Sequence, residues 1–94
     1  MKNGTTGSGF VYEFDEERAN DMMVLQRIVT LTDDEAPALD KVRALTALPG
    51  MLLGQEQADR LYAHLAQIHG GRVPPAALEK DLTEILGGSA AGKN

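Results

Sequence analysis

The chain has no cysteine and no tryptophan, and only two Tyr and two Phe among its 94 residues. Without thiols, neither a disulfide framework nor a thiolate metal site can form. Few aromatics and modest length limit the core to that of one small domain, whose stability would gain from any partner that binds the folded state. No apolar run approaches the roughly 20 residues needed to span a bilayer. No apolar signal core follows the start Met1-Lys2-Asn3-Gly4, so the expectation is a cytoplasmic protein with no membrane contact. Basic residues are scarce as well: nine against fourteen acidic, for a net charge of -5. Nucleic-acid backbones would be repelled, and no basic stripe offsets that repulsion.

What the chain does have is helical punctuation. Residues 1–9, rich in Gly and Thr, read as a flexible segment that buries nothing. Phe10, Tyr12 and Phe14 then alternate, so an extended arm places them on one face. Everything downstream reads as helix, and this strand has no evident partner in its own chain. Two arrangements follow: the arm packs its aromatics on the helices, or it pairs with a partner's strand, including that of a second copy.

A first helix is expected from near Asp15 or Asn20 to about Leu31, with Met22, Leu25, Ile28 and Val29 inward, Val24 and Leu31 widening the stripe, and Met23 at its margin. Thr32-Asp33-Asp34 offers caps for a second helix, Ala36 to Leu48, with Pro37 in its first turn and Leu39, Val42, Leu45 and Leu48 inward. Pro49-Gly50 reads as a stop. Met51-Leu52-Leu53 is then either a buried turn or an exposed apolar patch. A third helix, Gln55 to His69, carries Ala58, Leu61, Tyr62, Leu65 and Ile68 on one side, and Gly70-Gly71 supplies its left-handed cap. A fourth starts at Pro74-Pro75 and carries Leu78, Leu82, Ile85 and Leu86 until Gly87-Gly88 ends it. The expected fold is all-α: about four short helices with an extended N-terminal arm over residues 10–87, then a flexible tail over 88–94.

Chemistry is not legible in this pattern. His64 and His69 are five apart, off the spacing that aligns two ligands on a helical face. The loop Gly70-Gly71-Arg72-Val73 lacks the oxygen ligands of a calcium site. The Gly-rich stretches lack the Lys-Ser/Thr ending of a phosphate loop. No order or spacing suggests a Ser, His and carboxylate set. The expectation is a non-enzymatic protein with no cofactor and no metal, acting through a binding surface. Candidate contacts are Phe10, Tyr12, Phe14, Met22, Met23, Met51, Leu52 and Leu53, the methionines because they adapt to varied apolar partners.

The order of several short motifs carries a resemblance. An aromatic extended start (Phe10 to Phe14) precedes a helix opening with Asp21-Met22-Met23. Leu52-Leu53-Gly54-Gln55-Glu56-Gln57 leads into Leu61-Tyr62-Ala63-His64-Leu65, then Gly71-Arg72-Val73-Pro74 and Leu78 to Leu86. Over about residues 10–87 this layout resembles the tail assembly chaperones of long-tailed bacteriophages and prophages. His69-Gly70-Gly71 departs from the pattern, since relatives tend to carry an acidic turn there. The resemblance implies a soluble helical protein that binds the tape measure protein, and as a second partner the tail tube protein, in the host cytoplasm, and that is absent from the mature virion. It brings no catalytic residues. The family often makes a longer form by ribosomal frameshifting, and Lys93-Asn94 codons can form a slip site; the gene sequence decides this. Two other classes fit the composition: a small acidic inhibitor of a host defence protein, using Glu13 to Asp21, and a head–tail structural component.

Overall fold

A computed structural model describes residues 1–90, with side chains through Gly87. A β-hairpin comes first: β1 (Lys2–Thr5) pairs antiparallel with β2 (Val11–Phe14), Gly4 opposite Tyr12 and Lys2 opposite Phe14. A 3-10 turn, Glu16–Ala19, leads into four α-helices: α1 (Met22–Thr32), α2 (Ala38–Leu53), α3 (Gln55–Ile68) and α4 (Pro75–Ala90). The described residues are therefore mostly helical with a short two-stranded sheet, compatible with a small helical bundle, and all-α holds only approximately.

The hairpin corrects the reading of residues 1–9. The strand finds its partner in its own chain, and Thr6 is buried. Thr6-Gly7-Ser8-Gly9 makes the turn, closed by Gly9 N–H donating to the Thr6 carbonyl at 2.9 Å, and Thr6 N–H donates to the Phe10 carbonyl at 2.9 Å. The alternation along β2 is as its aromatics require: Phe10, Tyr12 and Phe14 are buried, Val11 and Glu13 exposed. They enter one core with Val24 of α1, Leu45, Leu48, Leu52 and Leu53 of α2, Leu61 and Leu65 of α3, and Leu78, Leu82 and Ile85 of α4. On the other edge of β2, Gln57 replaces a third strand. Its Oε1 accepts from Glu13 N–H and its Nε2 donates to the Glu13 carbonyl, both at 2.8 Å.

Helix α1 starts where Asp21 caps it, the carboxylate accepting Met23 N–H at 2.8 Å. Its burial reverses the expected stripe. Val24 is inward with Ile28 and Leu31 packed on the core, whereas Met22, Leu25 and Val29 face outward. Positions 24, 28 and 31 follow the i, i+4, i+7 rule as well as 22, 25 and 29 do. Periodicity cannot choose between two apolar faces of one helix.

Helix α2 runs through Pro49-Gly50 to Leu53 rather than stopping there, and its N-cap is Pro37, with no side-chain cap. An interior proline costs roughly 3 kcal/mol through its missing N–H and ring clash. Continuing the helix buries Pro49, Leu52 and Leu53, which offsets that cost. Leu39 and Val42, expected inward, lie exposed on the first turns of α2. Asp33, expected to cap α2, instead ends α1 as its C-cap; its carboxylate accepts Glu35 N–H at 2.9 Å and forms the turn between α1 and α2.

Gly54 ends α2 and starts α3 in a single residue, at φ 85° and ψ 156°. That region is essentially reserved for glycine. Helix α3 buries Ala58, Leu61 and Leu65, half-buries Tyr62 and leaves Ile68 exposed, so Ile68 is not core as expected. It ends as read: Gly70 is at φ 71° and Gly71 N–H reaches back to the Ala66 carbonyl at 2.7 Å, a left-handed cap. Helix α4 continues past Gly87-Gly88 to Ala90, where a flexible tail was expected to begin. Residues 91–94, with the Lys93-Asn94 slip-site reading, lie outside the described residues.

Candidate protein-binding surface

The predicted contact residues separate into two groups. Phe10, Tyr12, Phe14, Leu52 and Leu53 are core side chains. A client would reach them only by opening the fold. Met51 is half-buried against the core cluster, and its carbonyl accepts from Arg18 Nη1 at 3.4 Å. Met22 and Met23 are 70% and 54% exposed. Leu25 and Val29, which the sequence reading placed inside, join them at 43% and 64% exposed.

The outward side of α1 is built by simple helical spacing. Met22, Leu25 and Val29 recur at i, i+3 and i+7, on the side opposite Val24, Ile28 and Leu31. With Gln26, Arg27 and Thr30 they line an open groove of ≈ 570 Å³. No local signal separates the two sides: Gln26 and Thr30 lie beside the Met22 stripe, and Arg27 and Thr32 lie beside the Val24 stripe.

Charge is arranged around this face. Asp15, Glu16, Glu17 and Asp21 precede α1, and Asp33, Asp34 and Glu35 follow it; all are exposed. Asp15 and Asp21 each accept the N–H two residues on, at 3.0 and 2.8 Å. Acidic groups at the start of a helix suit its dipole. Those after α1 stand at its negative end, although they also precede α2.

A second polar cluster ties the hairpin to the helices. Asp81 on α4 is 2% exposed, and its Oδ2 accepts from Thr6 Oγ1 at 2.9 Å and Ser8 Oγ at 2.6 Å. His64 Nε2 lies 2.9 Å from the Ser8 carbonyl oxygen, and its ring meets Phe10 at a centroid distance of 5.9 Å. Gly7 N–H donates to Glu84 Oε1 at 2.6 Å, and Lys80 Nζ sits 2.5 Å from Glu84 Oε2. Lys80 and then the Gly7 N–H hold the Glu84 carboxyl below its ordinary value of 4.5. The same pairing raises Lys80.

Serine, histidine and carboxylate thus meet in one place, but not in the geometry of nucleophilic catalysis. The Ser8 hydroxyl donates to Asp81, and His64 contacts the Ser8 carbonyl rather than its hydroxyl. A base must hydrogen-bond the nucleophile it activates. The cluster satisfies a buried carboxylate and fixes the turn. On α3, burial pushes the Tyr62 hydroxyl above its ordinary 10.0.

No group of three or more His, Asp or Glu among the described residues could hold a metal ion, and no described helix is long and apolar enough to cross a membrane. No protein-family model, curated protein or solved structure matches the chain.

Proposed function

We propose that this protein is a non-enzymatic assembly chaperone of long-tailed bacteriophages or prophages, which binds the tape measure protein and keeps it soluble while tail tube subunits assemble. The observation that carries this reading is the outward apolar side of α1, where Met22, Met23, Leu25 and Val29 are all exposed on one short helix. Soluble proteins rarely leave such residues together without a partner. Methionine side chains adapt to clients of varied shape. The ordered series of motifs from Phe10 to Leu86 supports the same family. The net charge of -5 would keep a complex soluble once the apolar surfaces are covered. In this reading α1 is the client contact, and the aromatic arm and Leu52-Leu53 hold the fold together. The protein acts in the bacterial cytoplasm and is absent from the finished particle.

Co-expression with the tape measure protein is the test. The reading expects a gain in soluble client, co-purification of the two chains, and no copies of this chain on mass analysis of purified virions. No gain and no co-purification would refute it, and copies in the particle would indicate a head–tail component instead. One observation favours a second reading, an acidic inhibitor of a host protein: Glu13, Asp15, Glu16, Glu17 and Asp21 are all exposed within one stretch. Neutralising them would then abolish inhibition of the host protein.

A further inference from the structure

The exposed face of α1 has acidic groups at both ends and apolar residues between. Eleven residues at 1.5 Å rise make a helix of about 16 Å. Asp21 is the N-cap at one end and Asp33 the C-cap at the other; Asp15, Glu16 and Glu17 precede the helix in the chain and Asp34 and Glu35 follow it, all exposed. Asp33, the C-cap, falls on the same line as Met22 and Val29, at i+11 and i+7 from Met22. The side chains of Glu16, Glu17, Asp34 and Glu35 have no hydrogen-bond or ion-pair partner among the described residues, where the single salt bridge, Lys80 to Glu84, lies on α4. Among basic residues near this face, Arg18 is turned to the Met51 carbonyl, and Arg27 lines the groove. The negative charge at the two ends is left largely uncompensated.

We propose that this face docks an amphipathic helical segment of a partner, about three turns of apolar face with Lys or Arg clustered at both ends. The inference rests on the reading of α1 as the client contact and adds the charge pattern of the segment it accepts. Apolar side chains of the ligand fill the groove between Met22 and Val29, burying surface that water now covers. Its basic ends reach the two carboxylate groups, which set register and speed encounter. A segment with acidic ends meets like charge at both ends and is rejected.

The test uses the full chain and two labelled synthetic helical peptides of about 17 residues, long enough to span α1. Both have the same Leu/Ala face; one carries two Lys at each end and the other two Glu. Fluorescence anisotropy is expected to show the Lys-ended peptide binding at least about tenfold more tightly, with the preference shrinking as salt rises from about 0.05 to 0.3 M. Val29→Glu should abolish that binding. Asp33→Asn/Asp34→Asn/Glu35→Gln should weaken it about tenfold while leaving the apolar face intact. Because these residues are exposed, both variants should keep the wild-type circular dichroism spectrum. Equal binding of the two peptides, or of neither, overturns the inference. So does sedimentation showing a dimer that Val29→Glu dissociates, since the face would then belong to a second copy. Tape measure binding that survives the Asp33/Asp34/Glu35 variant also overturns it, while leaving the chaperone reading standing. Peptide binding with no tape measure binding does the reverse.

Discussion

Truncating Phe14 tests whether the N-terminal arm belongs to the fold of its own chain. Phe14 is 0% exposed, at the end of β2, and belongs to the same buried cluster as the leucines of α2, α3 and α4. Phe14→Ala removes a ring from a site with no solvent to fill it, and such changes cost about 3–5 kcal/mol. A chain of 94 residues has a total stability of roughly 5–14 kcal/mol at ~0.05–0.15 kcal/mol per residue. The variant would therefore lose about a fifth of its stability at the least and nearly all of it at the most. In urea, with an m-value on the order of 1 kcal/mol/M, the midpoint should fall by about 3 M or more. Val11→Ala on the same strand is the control: Val11 is 65% exposed, and its removal should stay within about 0.5 kcal/mol. Circular dichroism melts at several protein concentrations complete the assay. The arm pairs within its chain, so the midpoints should not depend on concentration. A Phe14→Ala cost near that of Val11→Ala, or a midpoint that rises with concentration, would refute the placement of the arm in the core.

Gly54→Ala should destabilise by about 1–3 kcal/mol from backbone strain alone, since an added Cβ would meet nothing closer than Arg18 Nη2 at 3.7 Å; an unchanged melting temperature would contradict the backbone angle at that junction. The Glu84 carboxyl lies below its ordinary 4.5, so its contribution is complete above the unfolded value and is lost as pH falls through the folded one. The small stability gap between wild type and Glu84→Gln, read from urea midpoints, should be constant near neutrality and close in acid; a gap unaffected by acid would remove the Lys80–Glu84–Gly7 linkage. The Tyr62 hydroxyl lies above 10.0 because of burial, so its neutral form favours the fold up to the unfolded value and that preference is lost as pH rises through the folded one. Ultraviolet titration should show Tyr62 ionising later in folded than in urea-unfolded protein, and an identical Tyr62 titration in the two states would exclude the effect.

Helix α3 was readable from sequence because it has one apolar stripe and glycine at both ends, so periodicity and punctuation agree. Helix α1 was not, because Met22 to Leu25, Ile28, Val29 and Leu31 cover most of its circumference. The core then selects Val24, Ile28 and Leu31 through neighbours that are distant in sequence. At Pro49 the local cost of proline is offset by the burial of Leu52 and Leu53 one turn later, which no local signal in the sequence reports. The hairpin was hidden because Lys2-Asn3-Gly4-Thr5 has no apolar alternation, and its strand is recruited by backbone pairing to β2. The contact surface was half legible. Met22 and Met23 stand out by their chemistry, Leu25 and Val29 read as core yet face outward, and the aromatic arm and Leu52-Leu53 are apolar because they are core. An apolar run looks the same in sequence whether it faces protein or water.

The central claim is that the outward face of α1 binds an apolar client. Co-purification of the tape measure protein with wild-type chain and with Val29→Glu tests it most directly. The account predicts soluble complex with the wild type, and insoluble client with a variant that keeps wild-type helicity and melting. Equal recovery of client with both chains would contradict it.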